Sequence, residues 1–207
     1  DGVLVDSEPL HFQAFRHIFD PMGISLPDEY QFKFVGDPLR KNLEDIGTDF
    51  NLKLNPVEIA PLIHTAYLDI LERSNIQPNP GVKELLLQAH RLGLKTGLCT
   101  SSPLNQAQII THKIKIQHLF SKPPFDDIIA GDMVEHTKPH PEPYLTLCNR
   151  LDVPPVQSIA IEDSPSGLQS ARAAGCFTVA LLNSYNRNMD FVTIDAVVES
   201  LLDIVLI

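Results

Sequence analysis

From Gly81 onward, strand-length apolar runs alternate with helical segments, and that alternation leaves few folds open. Val82 to Leu92 reads as an amphipathic helix closed by Gly93, and Leu94 to Cys99 as a strand. Ser102-Pro103 opens a helix, and Asp127 to Ala130 is a second strand. Tyr144 to Leu151 is a helix and Ser158 to Ile161 a third strand. Ser164-Pro165 caps a helix that ends at Gly175, followed by strands at Phe177 to Leu182 and Ala196 to Val198. Strands that alternate with helices demand right-handed crossovers and a parallel sheet, an α/β fold. The runs at 158–161 and 177–182 are apolar on both faces, as a helix-covered sheet requires.

The first 78 residues read differently, as helices without strands. Ser7 is placed to cap a helix with Leu10, Ala14, Phe15 and Ile18 on one stripe, ended by Pro21 and Gly23. Asp37-Pro38 and Asn55-Pro56 are two more helix starts, the second leading into Ile63, Tyr67, Leu68 and Leu71. Pro61 is expected to kink or delay that helix. The polar, proline-rich stretch 74–81 reads as a return linker.

Composition sets the outer bounds. The chain of 207 residues is 43% hydrophobic and 20% charged, as ordinary globular proteins are, and it needs no disulfide or metal to fold. Its net charge of -10 argues against nucleic acid and anionic membranes as partners. No apolar run approaches the ~18 residues of a membrane span, and no secretory signal opens the sequence. Cys99, Cys148 and Cys176 sit in apolar surroundings and read as reduced core residues of a cytoplasmic protein. Oligomeric state is not legible.

In open α/β sheets, ligands bind at the carboxyl ends of the strands. Cys99 is followed by Thr100-Ser101-Ser102, Ala130 by Gly131-Asp132 and then Lys138, and Ile161 by Glu162-Asp163. Asp1 adds a carboxylate at the start. Each element alone has a plain alternative: a helix cap, a solvated lysine, a second cap. Together, hydroxyls, a lysine and paired carboxylates are what a Mg²⁺-assisted phosphoryl site needs, and adjacent acids at a strand end call for a cation. His136 and His140 have the spacing that would clasp zinc on a helix, but Pro139 and Pro141 argue against a helix there, so no zinc site is expected.

With these stretches in view, the sequence resembles the haloacid dehalogenase-like hydrolases, in the branch of β-phosphoglucomutase and small sugar-phosphate phosphatases. The matching segments are residues 1–11, 80–85, 98–102, 138–144 and 161–168, in order along nearly the whole chain. The resemblance implies a Rossmann-like parallel-sheet core, residues 1–5 and 79–207, with an inserted all-helical cap, residues 6–78. The cap is expected to close over the core about hinges near Val5-Asp6 and Gln77-Pro80. It also implies an Asp-x-Asp motif in which the first Asp attacks phosphorus and the second is general acid/base. Asp1 matches the second, so the first strand and its nucleophile are expected upstream of residue 1, and the 207 residues alone are expected to be inactive.

By the same resemblance, Thr100 binds the transferring phosphoryl group, with Ser101 and Ser102 assisting, and Lys138 neutralises its charge. Asp163, with Glu162 and the Asp1 carbonyl, holds Mg²⁺. His11 lies where core meets cap, near substrate. The expected partner is a small phosphorylated metabolite. Mutases of this branch carry a lysine where this chain has Pro103 and a cap arginine where it has Leu39, with Arg40 one place late. These departures favour a phosphatase over a phosphohexomutase. A noncatalytic remnant is the third reading.

Overall fold

Helix ends show most directly how this sequence writes its structure. In the computed structural model, which describes residues 2–34, 39–187, 189, 191 and 194–207, Ser164 and Asn55 both have extended backbones. The side chain of Ser164 accepts the Gly167 N–H at 3.1 Å, and that of Asn55 accepts the Val57 N–H at 3.1 Å. Each satisfies a donor that the first helical turn leaves open. Ser7, the third expected cap, does not. Its backbone is already helical (φ -97°, ψ -8°), so its hydroxyl cannot turn back to the helix N–H groups, and that oxygen is buried with no partner among the described residues. The Ser7 carbonyl instead accepts from Leu10 and His11.

The chain divides into two compact units: the segment through Asp6 with Ile76–Ile207, and Ser7–Asn75. The second unit holds helices α1 (Glu8–Phe19), α2 (Tyr30–Lys33), α3 (Leu39–Asp49) and α4 (Pro56–Arg73). α1 packs on α4, burying Phe15, Phe19, Ile63, Tyr67 and Leu71. Phe15 lies 4.6 Å from Phe34 between ring centroids, and Tyr30 meets Phe34 edge-on at 5.3 Å. Each such fully buried side chain is worth roughly 1.5–3 kcal/mol. Pro61 does not delay α4, which starts at Pro56 and runs through it. One lost ladder bond near the start is outweighed by the apolar stripe that follows. The expected start at Asp37-Pro38 lies outside the described residues.

The first unit holds α5 (Val82–Arg91), β1 (Gly97–Cys99), α6 (Leu104–Lys113), β2 (Asp127–Ile129), α7 (Glu142–Leu151), β3 (Ile159–Glu162), α8 (Pro165–Ala174), β4 (Phe177–Leu181) and β5 (Ala196–Val198). All strand pairs are parallel, as expected, but they form two ladders: β1 with β2, and β3 with β4 and β5. α7 packs on β1, β2 and α8, and a buried cluster of Tyr144, Cys148, Ala160, Ala171 and Cys176 joins its inner face to β3 and α8. No described helix is long and apolar enough to cross a membrane.

Candidate active site

The carboxyl ends of β1 and β3 are tied together by one side chain. The Lys138 ammonium donates to the Cys99 carbonyl at 3.0 Å and to the Glu162 carboxylate, with which it forms an ion pair. The lysine and glutamate side chains are only 6% and 7% exposed. Tyr144, from α7, donates its hydroxyl to the same Glu162 oxygen, and its ring lies 5.1 Å from the ammonium. Burial alone would lower the Lys138 pKa, but the Glu162 charge outweighs it and the ammonium is held above the ordinary lysine range. Tyr144 is pushed well above its usual value by burial and by Glu162. At neutral pH the lysine is therefore a cation and the phenol neutral.

Thr100 follows the carbonyl that Lys138 grips. It is buried, its N–H extends the β1–β2 ladder to the Ile129 carbonyl at 2.9 Å, and its hydroxyl accepts the Ser102 N–H at 3.1 Å. Ser101 is exposed, while the Ser102 hydroxyl accepts from Gln106 at 2.9 Å. Ser102 therefore does not cap α6; the Leu104 N–H is taken by Asp132, from the end of β2, at 2.9 Å.

Glu162 and Asp163 are adjacent in sequence but face different partners. Asp163 accepts from the Asn183 amide at 3.3 Å, and its carbonyl accepts from the buried Asn186 amide at 2.8 Å. Burial and the neighbouring Glu162 charge raise its carboxyl pKa to about 6. A glycine presses on each acid: Gly2 leaves no room for a Cβ beside Asp163, nor Gly167 beside Glu162. Asp1, expected to complete the acids, lies outside the described residues.

His11 belongs to the helical unit. Its ring stacks on Tyr67 at 3.9 Å, and burial lowers its pKa to about 4, so the imidazole is neutral at pH 7. The three cysteines are free, and burial raises Cys99 to about 11 and Cys176 to about 12, leaving unreactive thiols.

Sequence reasoning missed Tyr144, Asn183 and Asn186. The strand-end rule that found Thr100 and Asp163 applies equally after β4, and both asparagines stand there.

Parallel strands whose carboxyl ends carry a hydroxyl and two acids, one of them paired with a loop lysine, together with a separate helical unit, mark an α/β protein with a Rossmann-like core and a helical cap. The sequence pattern described as haloacid dehalogenase-like hydrolase matches residues 1–181. The chain belongs to that family. It is 30% identical to the phosphorylated carbohydrates phosphatase of Thermotoga maritima, over 84% of this chain and 78% of that protein. Its fold is similar to CbbY from Rhodobacter sphaeroides in complex with xylulose-(1,5)bisphosphate (TM-score 0.80, 25% identity, 98% and 92% of the two chains). It is also similar to β-phosphoglucomutase from Clostridium difficile (TM-score 0.75, 25% identity, 98% and 89%).

Proposed function

We propose that this protein is a Mg²⁺-dependent phosphatase of a small phosphomonoester, a sugar phosphate or a compound like it, that works through an aspartyl-phosphate. The observation that carries the reading is the enclosed Lys138 ammonium, gripped by Glu162 and the Cys99 carbonyl at the carboxyl ends of β1 and β3. An ammonium fixed in this way is preorganised to meet a phosphoryl group without rearranging as charge develops. Glu162 and Tyr144 act through it: they hold its position and keep it charged. The Thr100 hydroxyl is the phosphoryl-binding donor, and Ser101 and Ser102 are its neighbours on the same loop. Asp1 is the acid/base, and the attacking carboxylate corresponds to a position two residues before it.

The donor set fits Mg²⁺. Asp163 is a hard oxygen ligand whose carboxylate form is disfavoured by burial and by Glu162, and a bound cation would relieve both penalties. Asp163 would hold the ion, with the Asp1 carbonyl; Glu162, engaged by Lys138 and Tyr144, would act beside it rather than as the main ligand. When bound, Mg²⁺ supplies charge neutralisation at the phosphoryl oxygens. His11, neutral on its Tyr67 platform, is proposed as a substrate hydrogen-bonding group rather than a phosphate cation. A phosphorylated metabolite as substrate and free thiols suit a cytoplasmic enzyme.

The mutase is the second reading, favoured by the likeness to β-phosphoglucomutase. Against it, Pro103 offers no cation at the start of α6, and Arg40 donates to Glu44 within α3 at 3.0 Å. The test supplies β-glucose 1-phosphate with a bisphosphate activator and, separately, a panel of phosphomonoesters. Mg²⁺-dependent release of inorganic phosphate is expected. Conversion to glucose 6-phosphate much faster than phosphate release would establish the mutase, and silence across the panel from a chain carrying the upstream Asp would leave the remnant.

A further inference from the structure

His136 and His140 meet even though no helix joins them. The Thr137–His140 turn, closed by the His140 N–H to the Thr137 carbonyl at 3.0 Å, brings the two rings to 4.5 Å between centroids. Glu142, at the first turn of α7, completes the group. One carboxylate oxygen accepts the Glu135 N–H at 2.8 Å, and the other accepts the His136 N–H at 2.9 Å. That second oxygen lies 3.0 Å from His136 Nδ1 and 3.9 Å from His140 Nδ1. A ligand atom from each of the three residues falls within 4.8 Å of the others.

We propose that His136, His140 and Glu142 form a binding site for a borderline divalent transition-metal ion of the Zn²⁺ class, distinct from the Mg²⁺ carboxylates. Two imidazoles and one carboxylate are the donors such ions prefer, whereas Mg²⁺ and Ca²⁺ take oxygen ligands. Zinc–nitrogen bonds of about 2.0–2.1 Å place tetrahedral ligands roughly 3.3 Å apart, so ligand atoms within 4.8 Å of one another need close by at most about 1.5 Å. Both histidine side chains are about half exposed, 55% and 50%, which leaves further positions on the ion to water; His140 Nδ1 also accepts the Glu142 N–H at 3.3 Å, a contact that fixes the ring beside the carboxylate. The carboxylate is already oriented by two backbone donors, as metal-ligating carboxylates are.

The site brackets Lys138, so an ion there pins both ends of the turn that delivers the ammonium to Glu162. It therefore binds with a gain in the chain's thermal stability, whatever reaction the protein catalyses.

The test titrates Zn²⁺, and Co²⁺ as a spectroscopic stand-in, into the whole protein under saturating Mg²⁺. One equivalent is expected beyond the Mg²⁺ site, with visible Co²⁺ bands, a rise in Tm, and shifted or broadened imidazole NMR signals for His136 and His140 alone. His136→Ala and His140→Ala should each weaken binding at least tenfold, and Glu142→Gln should weaken it less. All three side chains are at least partly exposed, so circular dichroism will verify that the variants fold. Unchanged Zn²⁺ stoichiometry and affinity in the double histidine variant, or imidazole signals that ignore the ion, would overturn the proposal.

Discussion

The Lys138–Glu162 pair of the α/β unit leaves 6% and 7% of its side chains in solvent, while the Arg16–Asp28 pair of the helical unit leaves 38% and 88%. Two further pairs of that unit are similarly open: Lys33–Asp49 at 43% and 41%, and Arg40–Glu44 at 80% and 58%. Enclosed charge survives only when every partner is supplied, and here a backbone carbonyl, a carboxylate and a phenol supply them. Surface pairs contribute ~0–1 kcal/mol and answer to solvation alone. The contrast sets a unit that encloses an ion pair against a unit whose interior is aromatic packing.

The sharpest way to break this contrast is at Lys138. Lys138→Ala should destabilise the chain by about 3–5 kcal/mol in urea titrations, because Glu162 is left buried without its cation. Lys138→Met combined with Glu162→Gln should recover most of that loss, yet in a chain carrying the upstream Asp phosphate release should stay down by about 10²–10³. Recovery of turnover in the double variant would show the pair to be structural.

In a chain carrying the upstream Asp, Asp163→Asn should lower turnover by about 10²–10³ and abolish the Mg²⁺-dependent rise in Tm, while the metal-free fold persists because Asn186 grips the residue's backbone carbonyl. A variant still stabilised by Mg²⁺ would remove Asp163 from the metal site.

The helical unit should show its own pH dependence. His11 titrates near 4 when folded against 6.5 when unfolded. The unfolded chain therefore takes up a proton that the folded one resists, and stability is lost as pH falls from 6.5 through 4, by roughly 2–3 kcal/mol. Calorimetry across that window should find the slope in the parent chain and a flatter profile in His11→Gln. Smaller again, Asn55→Ala should cost about 1 kcal/mol through loss of the α4 cap. Asp28→Asn should shift stability by under ~0.5 kcal/mol. A surface pair worth as much as the cap would erase the comparison.

Legibility in the sequence follows the same division. Alternation of strands and helices, and hydroxyls and acids at strand ends, are local signals, so the parallel pairings and the strand-end places of Thr100, Glu162 and Asp163 could be read. What Glu162 binds could not, because Lys138 and Tyr144 reach it across 24 and 18 residues. Nor could the failure of Ser7 as a cap, which turns on a backbone angle rather than on residue type.

Consider, finally, the two glycines set against the two acids. Glu162 and Asp163 are neighbours, yet the glycines that back them stand 160 residues and more apart, and each already occupies the space a methyl group would need. Gly2 also holds φ at +68°, a second bar to any side chain. In a saturation library selected for function, both positions should return glycine alone, although neither touches substrate in the proposed chemistry. As the gene drifts, positions 2 and 167 should therefore stay fixed as long as the acids are kept, and loosen together once they are lost.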